Sequence, residues 1–211
     1  MSDKNVSDKK SKIMKTVAVF MIMLAIAIVF VIVILFKQDS SNEKESAKIS
    51  RAEITSDMDE QEIYKTILTE YYGAIFAHDG DILYQRMAPP EYWEYYKTNY
   101  NKSDIDIISS FEENAISTVT EWRADYGEDV QVSFSVDGKS DLAEEFLTQW
   151  ENEMNGMTGE NTLDAEKAVT LSVKQVLKGS KGTVESTIRP TLIFVNGEWY
   201  ILDDGASTTT E

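Results

Sequence analysis

Hydrophobic and polar positions follow three different rhythms along the chain. Residues 16–36 read TVAVFMIMLAIAIVFVIVILF, an apolar run without a charge, bracketed by Lys15 and Lys37. Residues 58–126 carry apolar positions at steps of three and four, the period of an amphipathic helix. Beyond Gly127 much of the chain alternates at every second residue, the period of a half-buried strand.

The helical part divides at its caps and breakers. Asp57 and Glu60 have the spacing of a capping box. Ile63, Ile67, Tyr71 and Ile75 then make one stripe, and Asp79-Gly80 is expected to stop that helix with Gly80 in the left-handed position. Asp81 can cap a short second helix, ILYQRM, which Pro89-Pro90 breaks; EYWEYYKTNY predicts another turn or two. Ser103 and Asp106 give a second cap signal, ahead of Ile108, Phe111, Ala115, Val119 and Trp122 on one face, and Gly127 closes that helix.

Val130, Val132, Phe134 and Val136 then alternate with polar residues, which predicts a strand ending at Asp137-Gly138. Asp141 and Glu144 can cap a helix carrying Leu142, Phe146, Trp150 and Met154 on one side. After the loop NGMTGEN, Val169, Leu171 and Val173 alternate, GSKG at 179–182 turns the chain, and 183–195 alternates again. Asn196-Gly197 is a strong hairpin signal, a type I′ turn. A two-residue loop sets Val195 against Glu198, so Phe194 opposes Trp199 and Leu192 opposes Ile201 as core, with Ile193 and Tyr200 on the other face. Pro190 cannot donate to a ladder, so it marks an edge or a bulge that would bend the sheet. Helices, a strand, a helix and three antiparallel strands predict an α+β fold with helices over a curved sheet.

The apolar run changes the picture from a water-soluble chain to an anchored one. At about 1.5 Å per residue its 21 residues span roughly 30 Å, a bilayer's hydrocarbon thickness. A cleaved leader would have an apolar stretch of about 7–15 residues followed by small residues. Here the run is longer and KQDSSNEKES follows it, so an uncleaved signal-anchor is expected. Lys4, Lys9, Lys10, Lys12 and Lys15 precede the run; Lys37, Lys44, Lys48 and Arg51 follow it. The bias of five to four favours a cytoplasmic N-terminus, and a long C-terminal domain can be translocated largely regardless of charge. The expected organisation is a cytoplasmic tail (1–15), a transmembrane helix (16–36), a flexible linker (37–57), an extracytoplasmic α+β domain (58–203) and a disordered tail (204–211).

Charge and composition remove whole classes of function. The 211 residues carry 37 acidic and 20 basic side chains, a net charge of −17. Residues 37–211 alone stand at −20, so nucleic acid is not an expected partner and anionic headgroups should repel this part. With no cysteine there are no disulfides, thiolate metal sites or cysteine nucleophiles. One histidine leaves little for zinc or a triad. The paired acids at Asp57-Met58-Asp59 and Asp79-Gly80-Asp81 do not extend to a calcium loop, and phosphate-loop, nucleophile-elbow and zincin patterns do not occur. No cofactor or metal is expected. Asn5-Val6-Ser7 and Asn101-Lys102-Ser103 match the short glycosylation pattern.

From Met58 to Asp203 the layout resembles the cystatin-like cone fold of the nuclear transport factor 2-like superfamily, in particular small membrane-tethered extracytoplasmic domains of bacterial envelopes. The resemblance rests on the opening helix ending HDGD, on Met87-Ala88-Pro89-Pro90, and on the closing hairpin FVNGEWYIL at 194–202. It implies a cone of helices on a curved antiparallel sheet with a pocket between them. Some members are enzymes using an Asp or a His–Asp pair there, and many only bind. No catalytic motif of an enzyme branch is matched here, so no catalytic residue is carried over, and fold alone does not supply function.

Two local features are candidates for chemistry. His78 lies beside Asp79 and Asp81: it is either a general base held by a carboxylate or a helix-terminal histidine near the negative end of the dipole. Tyr92, Trp93, Tyr95, Tyr96 and Tyr100 place five aromatics in nine positions, which either complete the core or line a binding surface. Tyr92, Trp93, Tyr96 and His78 are therefore the candidate ligand-binding residues. The expected function is a single-pass, membrane-anchored, extracytoplasmic binding or interaction module without enzymatic activity. Its partners would be the membrane through 16–36, another envelope protein, or a small apolar ligand. The alternative is a small-ligand carrier or enzyme with its site between sheet and helices; a component of envelope assembly is a third reading.

Overall fold

The computed structural model describes residues 52, 54, 57–159 and 162–205. The expected cytoplasmic tail, the membrane run 16–36, most of the linker, the Asn5 motif and residues 206–211 lie outside the described residues. Among those described, no helix is long and apolar enough to cross a membrane. What is described belongs to one unit, residues 44–211.

That unit is α+β, with five helices and a curved antiparallel sheet. In chain order these are α1 (Glu60–Ala77), α2 (Gly80–Met87), α3 (Pro90–Tyr100), α4 (Asp104–Tyr126), β1 (Gln131–Asp141), α5 (Glu144–Thr158), β2 (Ala165–Gly179), β3 (Gly182–Ile188), β4 (Thr191–Val195) and β5 (Glu198–Asp203). Strand β2 is the spine. It pairs along one edge with β1, and along the other with β3 and then β4; β5 closes the far side on β4.

The caps refine the expected boundaries. Asp59, not Asp57, caps α1 by accepting from the Glu62 N–H at 2.9 Å. The α1 helix ends one residue before the expected stop, on His78 in the left-handed conformation (φ 55°). Asp79 rather than Asp81 then caps α2, accepting from the Ile82 N–H at 3.2 Å. Gly80 is the first residue of α2, not a terminator. Its hydrogen is needed for close packing, since a Cβ there would sit 2.4 Å from the Ile108 carbonyl oxygen of α4. Pro90 takes the first position of α3, where a missing N–H costs nothing, so the expected turn or two is a helix of 11 residues. The Ser103–Asp106 capping box and the Gly127 stop of α4 are as expected. Asp141 does not cap α5: it is the last residue of β1, and Ala143 occupies the cap position without a side-chain hydrogen bond.

The strands depart from expectation where the ladder tolerates a skipped residue. β1 runs through Asp137-Gly138 to Asp141, and the ladder shifts register between Val136 and Gly138. Such a bulge absorbs one residue without ending the strand. Pro190 divides β3 from β4 on the same edge of β2, so the three expected strands are four. No bulge forms at Pro190: the pairs Val173–Ile188 and Thr170–Thr191 keep one register across the gap, and the Pro190 carbonyl accepts from Leu171 N–H at 2.9 Å. The Asn196-Gly197 hairpin has the expected pairs Val195–Glu198, Phe194–Trp199 and Leu192–Ile201, with both turn residues at positive φ (50° and 81°) as type I′ requires.

Two cores flank the sheet. On one face α1, α2 and α4 pack over Val169, Leu171, Val173, Leu192, Trp199 and Ile201. Tyr64, Leu68 and Tyr72 are buried beside the expected Ile67, Tyr71 and Ile75, because α1 is covered by the sheet and by both neighbouring helices. On the other face α5 brings Phe146, Trp150 and Met154 against Ile193, Val195 and Tyr200. Ile193 and Tyr200 are thus core residues too, and the closing hairpin is buried on both faces. Past Thr170 the second face is open among the described residues: Lys174 and Lys178 on β2 and Ser133 on β1 are exposed.

Candidate functional site

The four residues singled out by sequence fall in two places. Tyr92, Trp93 and Tyr96 ride on α3. His78 caps α1, and the charge that acts on it is that of Arg123 on α4.

Position along α3 decides which aromatic is core. Trp93 is the one α3 residue that is fully buried, at 4% exposure. Its ring stacks on Tyr84 of α2 at 4.8 Å and meets Phe111 of α4 edge-on at 5.9 Å. Its indole N–H donates to the Tyr84 carbonyl at 2.9 Å, which satisfies the polar tip. Trp93 therefore holds α3 against α2 and α4. Tyr92, one position earlier, reaches the second core through α5. Burial, followed by the neighbouring phenols of Tyr96, Tyr100 and Tyr95, pushes its hydroxyl up to about 12.

The remaining rings form a ladder outside this wedge. Tyr92 lies 6.5 Å from Tyr95 and 6.3 Å from Tyr96, and Tyr96 lies 4.6 Å from Tyr100. Tyr95 and Tyr96 are half-buried and Tyr100 is 60% exposed. Charged groups rim the ladder. Lys97 pairs with Glu94 at 2.6 Å and with Asp104 at 2.9 Å, and the Tyr84 hydroxyl donates to Asp104 at 2.7 Å. The Tyr84 hydroxyl and then Lys97 hold the Asp104 carboxyl below its ordinary range. An apolar centre with a polar rim is the anatomy of an interaction surface. Sequence reasoning found the rings but not Tyr84, Lys97 or Asp104, whose roles depend on α2 and α4 folding back beside α3.

His78 is held by its backbone, whose N–H donates to the Ile75 carbonyl at 3.1 Å. Its Nε2 is buried without a hydrogen-bond partner among the described residues. Burial, and then the Arg123 charge, lowers its pKa and keeps the ring neutral. Asp79 spends a carboxylate oxygen on capping α2.

A second group was not visible in sequence. Glu70 of α1 and Arg86 of α2 form an ion pair with side chains 2% and 1% exposed. The guanidinium donates twice to Glu70, to the Trp199 carbonyl at 3.1 Å and to the Ala52 carbonyl at 3.3 Å. The Ala52 N–H in turn donates to Glu70. Ile54 packs against the same core, so two residues of the expected linker are fixed to the fold. At the other end Asp204, the first residue of the expected tail, accepts from the Tyr71 hydroxyl at 3.0 Å.

Among the described residues no cluster of His, Cys, Asp and Glu is disposed to hold a metal ion. Comparison of the chain with known families, with curated proteins and with solved structures returns no match. The functional reading therefore rests on the chain's own chemistry.

Proposed function

We propose that this protein is a single-pass binding module, held in the membrane by residues 16–36 and displaying a cystatin-like cone outside the cell, where it docks a protein partner. The observation that carries the reading is the tyrosine ladder of α3. Tyr95, Tyr96 and Tyr100 offer aromatic area at the surface, while Trp93 fixes the helix beneath them. Tyr and Trp are enriched at interface centres because they join large apolar area to a polar tip. On the helix-covered face of the sheet Tyr64 packs edge-on to Trp199, and Tyr71, Tyr72 and Phe134 form a separate row of ring contacts.

Two experiments test it. Protease added to intact cells should remove residues C-terminal to the membrane run; full protection refutes the orientation. A photo-crosslinking side chain at position 100 should give one dominant protein adduct in intact cells. The same group at position 187, on the open edge strand β3, should give none. Equal labelling at both positions refutes the docking face.

A further inference from the structure

A cavity of about 160 Å³ lies between the first turn of α1 and the bulge in β1, away from the tyrosine ladder. A space of about this size accommodates a six-carbon ring. It is lined by Glu60, Gln61 and Tyr64 of α1 and by Val136, Gly138 and Lys139 of β1. The bulge creates it: the register shift between Val136 and Gly138 turns Lys139 toward α1, as bulges beside binding sites commonly re-aim a side chain.

Two features of the site favour a carboxylate. Lys139 of β1 and Lys167 of β2 converge on one carboxylate, that of Glu60. Tyr64, 1% exposed, lines the cavity; Lys167 faces its hydroxyl oxygen, and the hydroxyl's own proton meets no acceptor among the described residues. A buried donor left unpaired is costly, and native structures rarely leave one without a reason. Asp141, 3.4 Å from Lys139, is a second acceptor at the rim. Glu60 is 47% exposed, so it can swing into water at little cost and leave the lysines to another carboxylate.

We propose that the cleft between α1 and the β1 bulge binds a small organic carboxylate, held by Lys139, Lys167 and the Tyr64 hydroxyl, with Glu60 as the internal group it displaces. The bound oxygens replace those of Glu60 on the lysines and supply the acceptor that Tyr64 lacks. The apolar remainder of the ligand lies on Val136 and the Tyr64 ring. This assignment is independent of the tyrosine ladder and of any partner protein.

Acetate is the probe. The full-length protein in detergent micelles, with ring-labelled tyrosine, is titrated with sodium acetate and separately with sodium chloride at equal ionic strength. Tyr64→Phe identifies the Tyr64 signal by its loss. That signal should shift saturably with acetate and not with chloride. Glu60→Gln, which removes the competing carboxylate, should tighten acetate binding severalfold. Lys167→Met should weaken it about tenfold, the scale of one charge-assisted hydrogen bond, and Lys139→Met should do likewise. Lys178→Met, on the open face of the sheet, should leave it unchanged, and tryptophan emission checks that each variant is folded. The same shift with chloride, no saturation, or acetate affinities of the Glu60 and Lys167 variants equal to that of the parent would each overturn the site. Saturation by inorganic phosphate but not by acetate would overturn the carboxylate.

Discussion

Helix α1 carries two glutamates ten residues apart that both meet basic side chains, and they live in different solvents. Glu60, in the first turn, is 47% exposed and shared between Lys139 and Lys167 from the sheet. Glu70, in the middle of the helix, is 2% exposed and closed in by Arg86, Ala52 and the surrounding core. The partners differ in kind as well as in place. A lysine ammonium is a point charge on a flexible stem, whereas the planar arginine fork can serve a carboxylate and two carbonyls together. Arg86 uses its fork in that way, joining α1, the Trp199 carbonyl of β5 and the chain at Ala52. The lesson is that an acid–base contact is structural only where water cannot replace it.

The largest expected effect comes from breaking the buried member. Arg86→Met leaves the Glu70 carboxylate in the core without a counter-charge, and should cost about 3–5 kcal/mol. The double variant Glu70→Leu/Arg86→Met removes both charges and should recover much of that loss, because breaking a buried pair costs more than deleting it. Urea denaturation followed by tryptophan emission measures both. All four tryptophans lie at position 93 or beyond, so the signal is free of the apolar run at 16–36. A double variant no more stable than Arg86→Met would mean that the Trp199 and Ala52 contacts, not the charge, are what Arg86 supplies.

The next effect tests how tightly the helices that carry this pair must approach. Gly80→Ala places a Cβ 2.4 Å from the Ile108 carbonyl oxygen, and backbone does not yield as a side-chain end does. A loss of about 1–3 kcal/mol is expected in the same denaturation experiment. An unchanged midpoint would show that α2 can move off α4 without cost.

The contrast between the two glutamates also marks what the sequence could reveal. Local chemistry was readable: the Ser103–Asp106 box, the Gly127 stop and the Asn196-Gly197 hairpin act within a few residues, and the hairpin register followed from its turn. The β5 strand was harder, since alternation suggests one buried face and helices cover both; Tyr200 is as buried as Trp199. Glu70 was not readable at all. It sits beside Tyr71 in a run that looks polar on that side, and its burial depends on α2 folding back to bring Arg86, 16 residues later, against it. The aromatic segment was legible as a cluster, but only the α2 and α4 contacts separate Trp93, which is packed inside, from Tyr100, which is exposed.

A third test sits at the end of α1. His78 is the only histidine in the chain, so a stability change near its ordinary pKa of about 6.5 belongs to it. Its folded pKa is lowered, so the unfolded state binds the proton more readily. Stability therefore falls as pH drops through about 6.5, and the loss is complete below the folded value. The carboxylates held low by hydrogen bonds and neighbouring lysines, Glu60, Asp104, Asp106 and Asp129, lose their contribution only at more acidic pH, below about 4.5. His78→Asn keeps a residue that tolerates the left-handed conformation and should flatten the profile between about pH 7 and 5 while leaving the acid limb in place. A profile of unchanged slope would show that the imidazole is not desolvated.

The smallest expected effect closes the comparison. Glu60→Gln keeps the shape of the side chain and removes the charge that draws Lys139 and Lys167 together. The hydrogen bonds from Lys139 and then Lys167 hold the Glu60 carboxyl below its ordinary range, so its contribution exists above the usual carboxylate pKa of about 4.3 and vanishes as pH falls through the folded value. Because the group is solvated, that contribution is screened, and the substitution should shift stability at neutral pH by no more than about 0.5 kcal/mol. Salt should diminish even that difference. A loss near that of Arg86→Met would break the contrast, since it would make the first turn of α1 as dependent on its charges as the middle. A negligible loss together with tighter acetate binding would sharpen it: Glu70 would be fixed by the fold, and Glu60 would occupy a place kept for something else.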